Sequence, residues 1–121
     1  MVFRYNEPAG IPTLDPAFAK DKSTIWAVQQ LFESLVALDS ENEIVPALAV
    51  QWSVSENGRV YEFSLRDAYF HNGNKLSPAD VVYSLKRLQD LAIASPGSWV
   101  LEEVLDIQES VAGTVIIELH A

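Results

Sequence analysis

The chain has 121 residues and no cysteine, with 17 acidic against 8 basic side chains and a formal net charge of −9. That balance argues against a basic face for nucleic acid or an anionic membrane surface, and the lack of cysteine excludes disulfides, thiol chemistry and zinc–thiolate sites. A hydrophobic share of 49% with 21% charged residues is that of an ordinary globular chain, long enough for one domain with a modest core.

Taken in order, Phe3, Arg4 and Tyr5 suit a short strand, and Pro8, Gly10, Pro12 and Pro16 then forbid regular structure. The loop continues through residues 17–22. Ser23 is placed to cap a helix whose apolar positions are Ile25, Val28, Phe32 and Leu35. Residues 36–38 read as a short strand closed by a polar turn over 39–43, and Pro46 as the opening of a helical turn reaching Val50. Residues 52–55 and 60–65 flank Asn57-Gly58, a strong hairpin signal. Trp52, at the hairpin entrance, reads as a core residue.

The best specified stretch runs from Tyr61 to Leu88. Tyr61, Phe63 and Leu65 alternate with Glu62, Ser64 and Arg66, the period of a strand with one buried face. Asn72-Gly73 is a turn pair. Ser77 is a helix N-cap, Pro78 takes the first helical position, and Asp80 stands where a capping box needs a carboxylate. Leu76 and Val81 have staple spacing. Val81, Leu85, Leu88 and Ala92 form one stripe, with Lys86, Arg87 and Asp90 turned away from it. Beyond the break at Ser95-Pro96-Gly97-Ser98, Ser98 is placed to cap a short helix over 99–103. A last hairpin follows, with Leu105, Ile107 and Val111 on one arm, Val115, Ile117 and Leu119 on the other, and Ala112-Gly113 at the turn.

These residues also carry a resemblance. Phe70-His71-Asn72-Gly73 followed by Leu76-Ser77-Pro78-Ala79-Asp80-Val81-Val82-Tyr83-Ser84-Leu85 resembles the signature of the bacterial extracellular solute-binding proteins of family 5, the oligopeptide-, dipeptide- and nickel-type receptors of ABC importers. Leu14-Asp15-Pro16, Leu31-Phe32-Glu33-Ser34-Leu35-Val36, Ile44-Val45-Pro46-Ala47-Leu48-Ala49, Trp52 and Asn57-Gly58 match in the right order. Ser34 and Ala68 stand where that family often has Gly, and Pro78-Ala79 where it often has Ala and an acidic residue.

The resemblance implies an α+β fold of periplasmic-binding-protein type, part of the N-terminal lobe, with a mixed, mainly antiparallel sheet and about three helices packed on it. Members of that family are several times longer and carry an export or lipoprotein signal. Residues 1–121 are therefore expected to be a single domain, an N-terminal fragment of a larger receptor that is periplasmic or a cell-surface lipoprotein. The start MVFRYNEPAG lacks a signal-peptide core, and no apolar run approaches the ~20 residues of a spanning helix.

By the same resemblance the expected ligand-facing residues are Ala19, Lys20, Asp21 and Lys22 in one loop and Ser98 and Trp99 in another. The competing reading of Lys20, Asp21 and Lys22 is a solvated loop. The implied partners are a peptide or small-molecule solute and, through the full-length protein, an ABC permease. Nucleic acid is not an expected partner, and self-association of the fragment is.

Against enzymatic chemistry, His71 and His120 form no metal-binding spacing, and His71 reads as a turn residue. The carboxylates show no pair with opposed environments, and residues 39–43 lack the glycine and closing glutamate of an EF-hand. Gly97-Ser98-Trp99 lacks the frame of a nucleophile elbow, and glycine-rich phosphate loops are absent. No catalytic residue, metal or cofactor is expected. Two alternatives stay open: the ligand-sensing domain of a regulator, and an acid-dependent hydrolase.

Overall fold

The computed structural model describes residues 1–120. Among them the chain forms two α-helices, α1 (Lys22–Leu31) and α2 (Pro78–Gln89), and six strands, β1 (Val36–Leu38), β2 (Ile44–Pro46), β3 (Ala49–Val54), β4 (Val60–Leu65), β5 (Val104–Glu109) and β6 (Val115–Leu119). Two short 3-10 turns occupy Pro16–Phe18 and Ser98–Leu101. The architecture is mixed α and β, with two helices where about three were expected. The strands divide between two antiparallel sheets, β1-β2 and β3-β4-β6-β5.

The β3–β4 hairpin closes where expected. Gly58 takes φ +70, the left-handed conformation that glycine adopts without a Cβ penalty. The Ser55 hydroxyl accepts from Val60 N–H at 3.0 Å, and the Asn57 side-chain oxygen accepts from Arg59 N–H at 3.1 Å. Trp52 then lies opposite Phe63, their ring centroids 6.3 Å apart. Trp52 is half-buried rather than enclosed, because β3 is the end strand of its sheet. The β5–β6 hairpin also forms, and β6 inserts between β4 and β5 with Phe63 opposite Val115 and Ile107 opposite Ile117.

Helix α2 packs across β5 and β6. Its Val81 joins Ile107 and Val115 in the core, with Leu76, Phe63 and Leu85 packed around them. The Asp80 carboxylate accepts from the Ser77 backbone N–H at 2.8 Å and from the Ser77 hydroxyl at 2.7 Å, so the expected N-terminus forms. Helicity stops at Gln89, which leaves Ala92 exposed in the following turn and outside the stripe.

Several local expectations are corrected. Residues 3–5 form no strand. Asp21, not Ser23, caps α1, since its carboxylate accepts both the backbone N–H and the hydroxyl of Thr24, each at 2.9 Å. A carboxylate taking two donors outcompetes a serine that is itself drawn into the helix. The helix ends at Leu31, and Phe32 turns extended at φ −121, ψ 154, so Phe32 and Leu35 leave its face. Pro46 ends β2 opposite Val36 instead of opening a helical turn. A proline without an N–H is tolerated on such a short edge strand. The neighbouring Leu48 and Ala49 N–H groups bond Ser34 and Leu35 carbonyls at 3.1 and 2.9 Å, which commits the segment to extended structure. Gly97, not Ser98, precedes the turn at Ser98–Leu101, which runs to one 3-10 turn only.

Candidate functional site

Each of the two loops singled out from the sequence is held at its base. Asp15 caps the Pro16–Phe18 turn by accepting from Ala17 N–H at 3.0 Å, and Ala19 closes it, its N–H donating to the Pro16 carbonyl at 3.3 Å. The same Asp15 carboxylate receives the fork of Arg87 from α2, Nη1 to Oδ1 at 2.8 Å and Nη2 to Oδ2 at 2.6 Å. Arg87 also lies over the Phe18 ring, 5.9 Å from its centroid. The Arg87 hydrogen bonds hold the Asp15 carboxyl below its ordinary value, opposed by partial desolvation and helped by the Ala17 N–H.

The second loop meets the first through Ser95. This residue is buried, and its hydroxyl donates to the Ala17 carbonyl. Gly97 N–H donates to the Ser95 hydroxyl oxygen at 3.1 Å and Ser98 N–H to the Ser95 carbonyl at 3.2 Å. A continuous path of hydrogen bonds thus runs from α2 through Asp15, Ala17 and Ser95 to Ser98. It joins the base of the segment holding Ala19, Lys20, Asp21 and Lys22, the last of which opens α1, to the base of the loop holding Ser98 and Trp99.

The six residues differ in what they have left to offer. Ala19 is half-buried, Lys20, Lys22 and Ser98 are exposed, and Trp99 is 69% exposed. Asp21 is occupied locally, since the Thr24 N–H and hydroxyl hold its carboxyl below the ordinary value. Beside Arg87 a depression of about 250 Å³ is lined by Tyr83, Lys86, Arg87, Asp90 and Ile93. On the opposite, polar face of the larger sheet, a second of about 380 Å³ is lined by Gln51, Trp52, Ser53, Glu62 and Ser64.

Sequence reasoning missed Arg87, which it turned toward solvent with Lys86. Asp15 stood inside a matched motif but was given no role. An acidic residue directly before a proline that opens a turn was the available signal. Its partner from α2, distant in sequence, had none.

Other candidates sit apart from this cluster. His71 is exposed in a turn closed by Phe70 N–H to the Asn74 carbonyl at 2.8 Å, with Gly73 at φ +88. Among the described residues no group of three or more His, Cys, Asp or Glu is arranged to hold a metal. The carboxyl shifts resolved, at Asp15, Asp21, Asp67 and Asp80, are all downward, opposite to that of a general acid. No helix among the described residues is long and apolar enough to cross a membrane.

Residues 43–121 match the family profile described as bacterial extracellular solute-binding proteins, family 5 Middle. The periplasmic murein peptide-binding protein MppA of Escherichia coli is 41% identical over 95 residues, which covers 78% of this chain and 17% of that protein. The HTH-type transcriptional regulator SgrR of Photorhabdus laumondii is 38% identical over 86 residues, covering 69% of this chain and 15% of the regulator. The peptide-bound OppA of Listeria monocytogenes superposes with a TM-score of 0.85 at 26% identity, covering 91% of this chain and 25% of that one. The chain thus spans no more than a quarter of the length of each of these proteins. It belongs to the bacterial extracellular solute-binding proteins of family 5.

Proposed function

We propose that this chain is part of the N-terminal lobe of the substrate-binding component of an ABC importer, located in the periplasm or on the cell surface as a lipoprotein. Its solute is a peptide or a related small polar molecule. The observation that carries this reading is the 41% identity to a periplasmic murein peptide-binding protein over 95 residues. Residues 1–121 act as a single domain that supplies part of one wall of a two-lobed cleft. Hinge closure over the solute stabilises the form that the membrane permease recognises. The wall is formed by Ala19, Lys20, Asp21, Lys22, Ser98 and Trp99, and no bond is made or broken there.

The hydrogen bond between Ser95 and Ala17 supports treating the two loops as one surface. Lys20 and Lys22 give that surface positive charge suited to a solute carboxylate. Asp21, already committed to Thr24, contributes mainly by fixing Lys22 at the helix start. Part of a wall binds weakly, since most of the enclosing contacts lie elsewhere. Calorimetry with tri-alanine should therefore give no micromolar binding for the isolated chain and clear binding for the longer receptor that carries it. Micromolar affinity in the isolated chain overturns the partial-wall reading, and a receptor that binds no di- or tripeptide overturns the peptide assignment. In isolation the chain also self-associates through exposed apolar side chains.

The alternative of the same domain serving as the ligand sensor of a transcription factor is not favoured over this reading, although an HTH-type regulator is among the similar proteins. A helix-turn-helix segment encoded ahead of this chain in its parent gene would select it over the transport reading.

A further inference from the structure

We propose that Arg87 is the positioning residue of the candidate wall, holding the Pro16–Lys22 and Ser95–Trp99 segments in register; this rests on the receptor reading above. Arg87 stands in the last turn of α2, whose Val81 and Leu85 are fastened to the sheet through Ile107 and Val115. The base of the guanidinium is therefore fixed by the core. From that base it grips both Asp15 oxygens and covers the Phe18 ring, reaching either side of the short Pro16–Phe18 turn. Asp15 in turn bonds Ala17 N–H, and the Ala17 carbonyl accepts from Ser95.

Gln89 of α2 reaches the Leu101 carbonyl at 3.5 Å beyond Trp99, but among the described residues Arg87 alone carries side-chain hydrogen bonds from α2 to the base of the Pro16–Lys22 segment. Lys86, the neighbouring cation, pairs with Asp106 on β5 at 3.5 Å instead. The planar fork matters as much as the charge, because a point charge cannot hold two carboxylate oxygens and an aromatic face at once. Loss of the fork should leave the sheet intact and free the two loops.

The test compares Arg87→Gln and Arg87→Lys with the wild-type chain by amide hydrogen exchange, and with the longer receptor by calorimetry using tri-alanine. In Arg87→Gln, exchange at Ala17, Ala19, Gly97 and Ser98 should rise about tenfold or more, while the β4 and β6 amides keep wild-type rates. The receptor variant should bind tri-alanine about tenfold more weakly, with Arg87→Lys recovering part of the loss. Unchanged loop exchange, or exchange that rises equally in the strands, overturns the proposal, the second outcome marking Arg87 as a stability residue only. Confined loop exchange with full tri-alanine affinity overturns it as well. If wild-type receptor binds no di- or tripeptide, the peptide assignment fails while the positioning role stands or falls on loop exchange. Loop exchange in the variants then still reports whether Arg87 orders the two segments.

Discussion

Ser77 and Asp80 meet twice at the start of α2: one carboxylate oxygen of Asp80 accepts both the Ser77 backbone N–H at 2.8 Å and the Ser77 hydroxyl at 2.7 Å. These bonds stabilise the ionised form and hold the Asp80 carboxyl below its ordinary value of 3.8. A depressed native value means stability that is fully present above the unfolded value and lost as pH falls through the folded one. Asp80→Asn should therefore be less stable than wild type at pH 7, and the gap should narrow below about pH 4. Asp15, Asp21 and Asp67 are shifted the same way, so the variant keeps part of the acid slope. Ser77→Ala, which retains the backbone donor, should cost about 0.5–1 kcal/mol. Urea unfolding across pH measures both; an Asp80→Asn gap independent of pH refutes the assignment.

The sheet depends on a small number of enclosed side chains. Ile107 is fully buried between α2 and β6, whereas Leu105, two residues earlier on the same strand, is 51% exposed at a break in the β5–β6 register. Ile107→Ala should cost about 2–5 kcal/mol through lost burial and the cavity left behind. Leu105→Ala should stay within about 0.5 kcal/mol. Denaturation midpoints compare them directly, and equal losses would place the core elsewhere.

What was legible in the sequence was local. The Asn57-Gly58 hairpin, the Ser77-Pro78-Asp80 cap and the Gly113 turn are each set by residues within a few positions of one another, and all three form. Where two local signals competed, elementary strength decided: Asp21 with two Thr24 donors displaced Ser23. The insertion of β6 between β4 and β5 had no local signature, because it depends on pairings such as Val60 with Glu118. The Arg87–Asp15 contact was invisible for the same reason, and with it the joint between the two loops. The loops themselves came from family resemblance; their mutual fastening through Ser95 emerges only in the folded chain.

Two glycines separate backbone strain from packing. Gly58 has φ +70 with nothing within 4 Å of where a Cβ would sit, so Gly58→Ala meets a conformational penalty alone, about 1–2 kcal/mol. Gly97 lies outside the positive-φ region, and an added Cβ would find the Ser95 oxygen at an ordinary 3.6 Å. Gly97→Ala should change stability by less than about 0.5 kcal/mol. Thermal unfolding of the pair tests this, and a comparable loss at Gly97 would mean the Ser95 loop has no slack.

Trp99 and Trp52 should part company by assay. Trp99 is 69% exposed on the second loop, so Trp99→Ala should hold stability within about 0.5 kcal/mol and remove the most easily quenched part of the tryptophan fluorescence. Trp52 packs on Phe63 from the hairpin entrance, and Trp52→Ala should cost on the order of 2 kcal/mol. If Trp99 contributes to solute contact, its loss weakens tri-alanine binding in the longer receptor without moving the unfolding midpoint. A drop in both together would make Trp99 a packing residue.

Leu38 and Ile44 stand directly opposite each other in the β1–β2 pair, 65% and 61% exposed. A cross-strand pair of large apolar side chains facing water invites a matching surface, and Val50 on the neighbouring end strand β3 is 49% exposed. For the isolated chain the available surface is another copy. Light scattering at high micromolar concentration should show species larger than one chain, and Leu38→Lys should reduce them by placing a charge where apolar contact is needed. Because Leu38 is largely solvent-exposed already, the variant should keep its unfolding midpoint within about 0.5 kcal/mol of wild type. A wild-type chain that stays strictly monomeric at that concentration refutes self-association; oligomers that survive Leu38→Lys move the contact away from this pair.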